Sequence, residues 1–108
     1  MQRISGNNFY LTRGDTGWLY VTLSVPTFPD DYELQRGDKL YFTVRKTREH
    51  EPVISKELDT QYITIEPEDT ENLDFGNYVY DVQLVFSWGA KTTVIEHAKF
   101  VICSEVTF

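Results

Sequence analysis

Apolar residues recur at every second position through most of this chain and helical spacing is hard to find, so the polypeptide reads as strands. Between Trp18 and Val25, Leu19, Val21, Leu23 and Val25 fall on one face and Trp18, Tyr20, Thr22 and Ser24 on the other. Side chains alternate across a strand, so the first set reads as core and the second as an outward face. Lys39 to Lys46 repeats the pattern, with Leu40, Phe42 and Val44 inward and Tyr41, Thr43 and Arg45 outward. In Val53 to Leu58 the apolar Ile54 and Leu58 share a face with Lys56, which fits a short edge strand or a strand whose lysine lies at the rim.

Tyr62 to Glu66 turns Ile63 and Ile65 inward, and Tyr78 to Phe86 turns Tyr78, Tyr80, Val82, Leu84 and Phe86 inward, the best pattern for a central strand. Thr92 to Cys103 keeps Val94, Ala98, Phe100 and Ile102 in phase, and Glu96 interrupts that phase as a bulge or an exposed end would. A first strand around Phe9 and Leu11 brings the count to seven. Turns fall at Arg13-Gly14-Asp15, Val25 to Asp31, Arg36-Gly37-Asp38, Glu66 to Gly76 and Trp88-Gly89-Ala90, where Gly, Pro, Asn and Asp supply turn dihedrals. The expectation is one domain over residues 1–108, all-β, an immunoglobulin-like β-sandwich of about seven antiparallel strands.

A chain of 108 residues buries roughly two thirds of its unfolded surface, enough for a real core. Cys103 is the only cysteine, so no internal disulfide forms, and it is expected in the core as a small hydrophobe. The formal charge of −7 repels polyphosphate, which argues against a nucleic-acid partner. Arg45, Lys46 and Arg48 form a local basic cluster, read as a solvated hairpin end. Met1-Gln2-Arg3-Ile4 leads into polar residues, and no apolar run approaches the ~20 residues that span a bilayer, so neither a membrane partner nor a secretory leader is expected.

The most specific local feature is Leu73-Asp74-Phe75-Gly76-Asn77-Tyr78 running into the best strand. It has the form of a tyrosine corner, in which a Tyr at the start of a strand folds over the preceding connection and hydrogen-bonds backbone upstream. Leu73, Gly76 and Tyr78 are therefore assigned an architectural role. Tyr80, two residues on, stands where antibody domains carry a cysteine.

Two Arg-Gly-Asp tripeptides, at residues 13–15 and 36–38, spell an adhesion signal but are ordinary Gly-Asp turn chemistry before a strand. Glu66, Glu68, Asp69, Glu71 and Asp74 lack the order of a calcium loop and read as a solvated corner. His50 and His97 fall in different segments without metal-ligand spacing. His97 and Cys103 lie six residues apart on one strand, ~20 Å by strand rise, too far for a base and its nucleophile. No catalytic, metal or cofactor site is assigned. Trp18, Tyr20, Tyr41 and Trp88, outward on strands or at a hairpin tip, are the candidate partner-binding residues.

From Gly14 onward, several features follow in a familiar order: Gly-Asp-Thr, an aromatic-rich strand, Arg36 to Leu40 before Phe42-Thr43-Val44, Pro67-Glu68-Asp69-Thr70 with Leu73 and Gly76, and Tyr78 to Leu84. Nearly the whole chain resembles small immunoglobulin-like structural proteins of phages and prophages, similar to the N-terminal domain of baseplate upper proteins. The resemblance implies a protein made in the bacterial cytoplasm and built into a virion's tail or baseplate. It implies contacts with other phage structural proteins or with copies of itself as a homo-oligomer, and no catalysis. An alternative is a carbohydrate- or cell-surface-binding sandwich, with Trp88, Tyr20 or Tyr41 stacking on sugar rings and Asp81 or Gln83 bonding hydroxyls. An enzyme has the least support, since nothing converges chemically.

Overall fold

The computed structural model describes residues 2–23 and 32–104. The expected core position Val25, its outward neighbour Ser24 and the turn from Val25 to Asp31 lie outside these residues. The regular structure of the described chain is almost entirely strand: β1 (Gln2–Ser5), β2 (Asn8–Thr12), β3 (Gly17–Tyr20), β4 (Lys39–Arg45), β5 (Pro52–Leu58), β6 (Tyr62–Ile65), β7 (Gly76–Val85) and β8 (Lys91–Cys103), with a single helical turn, α1 (Pro67–Thr70). A six-stranded sheet runs in the order β1-β2-β8-β7-β4-β5, and β3 and β6 form a two-stranded sheet. Buried residues of both sheets belong to one cluster, so the layers face each other across a shared core.

The alternation read from sequence places the core well. Leu19, Val21, Leu23, Leu40, Phe42, Val44, Ile63 and Ile65 are buried, as are Tyr78, Tyr80, Val82, Leu84 and Phe86. Phe42, Tyr80 and Phe100 form its aromatic centre, with ring centroids 5.4 to 6.4 Å apart. The Tyr80 hydroxyl donates to the carbonyl of Asn7, so this large ring is buried without an orphaned polar atom. Gly17 sits where β3 passes close beneath β2: a Cβ there would lie 3.0 Å from Leu11 Cδ1 and Phe9 Cζ, so a side chain would push the layers apart.

The pairing corrects the sequence reading in four ways. The sheet is not wholly antiparallel, because β2 runs parallel to β8, Phe9 opposite Phe100 and Leu11 opposite Ile102. The described residues form eight strands, because Gln2–Ser5 turns back at Gly6-Asn7 and pairs with β2. Its side chains are mostly exposed, so it carries no inward pattern to read.

In β8, Val94 does not occupy the core phase. Leu84 faces Thr92, Val82 faces Ile95 and Tyr80 faces Ala98, so extra residues enter twice along β8 and Ile95 takes the buried position. Cys103, next to buried Ile102, is half-buried instead of a core residue. The break at Glu96 is a bulge, and β5 is an edge strand whose Lys56 Nζ lies 2.8 Å from Asp69 Oδ2.

Candidate functional site

The corner before β7 forms as its sequence implied. The Tyr78 hydroxyl donates to the Asp74 carbonyl at 2.8 Å, and Gly76 adopts φ 128°, a backbone that other residues rarely take. Burial raises the Tyr78 phenol above its ordinary value, and the Asp74 charge adds to this. Lys46 lies 4.5 Å above the Tyr78 ring.

The first Arg-Gly-Asp turn is stitched onto the same corner. The Gly14 amide donates to Thr70 Oγ1 at 2.9 Å, and the Arg13 guanidinium lies 4.0 Å from the Phe75 ring centroid.

The second tripeptide is equally architectural, because Asp38 is only 2 % exposed. Its carboxylate accepts from the Tyr32 hydroxyl, from the Gln35 amide at 2.9 Å and from the Ser87 amide at 2.8 Å, tying the β3–β4 connection to the β7–β8 turn. Burial alone would raise this carboxyl, yet those hydrogen bonds hold it below its ordinary value. On Tyr32, burial together with the hydrogen bond to Asp38 and its charge pushes the phenol up to about 12. Asp38 serves packing and is not displayed to a receptor.

The four candidate aromatics are not brought into one site. Trp18 and Tyr20 stand on the outer face of the two-stranded sheet, 56 % and 52 % exposed. Tyr62, 59 % exposed and opposite Tyr20 in the register, joins them, with the Tyr20 and Tyr62 rings edge-on at 4.7 Å. Its place was legible in the sequence, since it alternates with inward Ile63 and Ile65. Gln2 fixes the strand beneath: its side-chain amide donates to the Trp18 carbonyl and its oxygen accepts the Trp18 N–H, each at 2.7 Å.

Tyr41 lies on the opposite side of the molecule, on the outer face of the six-stranded sheet. Trp88 is at the β7–β8 hairpin tip, stacked on Phe86 at 5.2 Å.

Tyr41 shares a surface groove with Asp81 and Gln83, two residues that sequence reasoning had linked to it, with Arg45, which it had set on the same outward face, and with Arg48 and His97, which it had not linked to it. No signal in the alternation alone reaches the last two, because one sits on a connection and the other on a bulge.

For chemistry the inventory is thin. His50 bonds Thr47 on the β4–β5 connection, while His97 is on β8. Among the described residues no group of three or more His, Cys, Asp or Glu is placed to hold a metal ion. No helix among them is long and apolar enough to cross a membrane. Comparisons with protein-family models, curated proteins and solved structures return no match to the chain.

Proposed function

We propose that this protein is a non-catalytic structural or assembly module of a phage or prophage particle, associated with its tail or baseplate, which acts by protein–protein contact. The observation that carries this reading is the outer face of the β3–β6 sheet, where Trp18, Tyr20 and Tyr62 stand together exposed. Large amphipathic rings of this kind are enriched as anchors of protein interfaces and bury much apolar area at little entropic cost. The face is held by main-chain pairing and by the Gln2 clamp, so it is organised before a partner arrives. The order and kind of sequence motifs supply the phage context.

The finer fold assignment, an immunoglobulin-like sandwich, belongs to the same proposal. It is supported by β4, β7 and β8 lying side by side in one layer while β3 pairs β6 in the other, and by a tyrosine corner at the start of β7. The parallel β2–β8 pair departs from a purely antiparallel plan.

Size-exclusion chromatography with light scattering, and pull-down against phage tail and baseplate proteins, test the role. The expected result is a defined oligomer or a specific tail-protein complex that the double substitution Trp18→Ala, Tyr62→Ala dissolves. A monomer that captures no tail protein overturns it.

A further inference from the structure

The outer face of the six-stranded sheet is not flat. A groove of about 400 Å³ crosses β4, β7 and β8, within the roughly 300–1,000 Å³ span of small-molecule sites. Its lining includes Tyr41 and Thr43 of β4 and Val79, Asp81 and Gln83 of β7, the outward side of two neighbouring interior strands.

The bulge in β8 adds relief. Between the pairs Tyr80–Ala98 and Val82–Ile95, both Glu96 and His97 stand opposite the single residue Asp81. His97 takes a left-handed backbone, φ 53°, and its N–H donates to Asp81 Oδ1 at 3.0 Å. A non-glycine residue there is uncommon, and bulges that re-aim side chains gather beside binding sites. Here the bulge leaves Glu96 and His97 exposed in succession and adds both to the groove. The β4–β5 connection adds Arg48.

The hydrogen-bonding groups of the groove divide unevenly. Each of its acids makes one contact through one oxygen: Asp81 Oδ1 accepts the bulge amide, and Glu96 Oε1 lies 3.3 Å from His97 Nε2. Beside the groove, Glu57 accepts the Tyr41 hydroxyl at 2.9 Å. Its donors are largely unspent. Arg45 commits one guanidinium N–H, to the His50 carbonyl at 3.1 Å, and among the described residues Thr43, Arg48, Gln83 and Thr93 have no side-chain hydrogen bond or ion pair.

Two arginines at one end of a row of free hydroxyl and amide groups match a ligand with a carboxylate and several hydroxyls. Arginine takes carboxylates in bidentate geometry, and strand side chains two residues apart space the remaining contacts evenly. We propose that this groove binds an acidic saccharide, a sugar ring bearing a carboxylate. Arg48 and Arg45 take the carboxylate, Thr43, Gln83 and Thr93 take hydroxyls, and the exposed edge of Tyr41 packs against the ring. The site lies on the opposite side of the molecule from Trp18, Tyr20 and Tyr62 and does not depend on the assembly role.

The test is a titration of ¹⁵N-labelled protein, followed by amide chemical shifts, with trigalacturonate, with sialyllactose and with neutral cellotriose. Millimolar trigalacturonate or sialyllactose is expected to move the resonances of Thr43, Gln83, Thr93 and His97, whichever responds more naming the acid source, while cellotriose leaves them in place. Arg48→Ala, at an exposed side chain without partners, is expected to weaken binding about tenfold or more, and Gln83→Ala by less. Absence of shifts with both acidic sugars, equal shifts with cellotriose, or unchanged affinity in the folded Arg48→Ala protein overturns the proposal.

Discussion

At the scale of single residues, two side chains hold connections that no backbone ladder reaches. Tyr78 ties its own corner through one hydroxyl. Tyr78→Phe keeps the ring in the core and removes only that bond, so urea denaturation should show a loss of about 1 kcal/mol with an unchanged slope. Asp38 gathers three donors on two oxygens. Asp38→Asn replaces one acceptor oxygen by an NH₂ that faces a donor in either orientation, and a loss of about 2 kcal/mol is expected from the same measurement.

The pH dependence follows from the same contacts. The Asp38 carboxyl is lowered on folding, so its contribution is complete above its ordinary value of 3.8 and is lost as pH falls through the lower folded value. Tyr32 is raised, so its contribution is complete below 10.0 and is lost as pH rises through about 12. Stability measured from acid to alkali should therefore fall at both ends, and the acid limb should flatten in Asp38→Asn. The corner was legible in sequence because Leu-x-x-Gly-x-Tyr is local. The hub at Asp38 was not, because Ser87 reaches it from a distant connection and nothing in the local pattern marks its burial.

At the scale of elements, reading succeeded wherever a strand keeps strict period two and failed where it does not. β4 and β7 alternate without interruption, and their inward residues match the core one for one. β8 has two irregularities, and each extra residue reverses parity, which is why Val94 and Ile95 exchange roles and why His97 was not linked to Asp81. β1 escaped notice because a short strand with mostly exposed side chains carries no apolar signal, yet it supplies the Gln2 clamp on β3. Gln2→Ala should leave the fold intact and free both Trp18 backbone groups to solvent. Hydrogen exchange should then quicken about fivefold or more at the Trp18 amide, with the amides of β7 unchanged.

At the scale of the molecule, aromatics divide between a sealed centre and an open exterior. Tyr80, Phe42 and Phe100 are wholly buried, whereas both tryptophans are exposed, Trp88 at 74 %. Native tryptophan emission should therefore resemble that of the unfolded chain, and near-ultraviolet dichroism from the buried tyrosine should report unfolding instead. Docking of a partner on the β3–β6 face should shift emission to the blue in the native protein and in Trp88→Phe, and not in Trp18→Phe.

The place of β8 between β2 and β7 has a consequence for how the protein is made. Phe9 finds its neighbour Phe100 only after some ninety further residues have been added. At translation speeds of roughly 5–20 residues per second, the first hairpin waits several seconds beside an emerging β4–β7 sheet it cannot join. Closure is therefore a late event in folding. Until it happens, the apolar sides of two sheet fragments are open to whatever nascent-chain chaperone or sister polypeptide comes first.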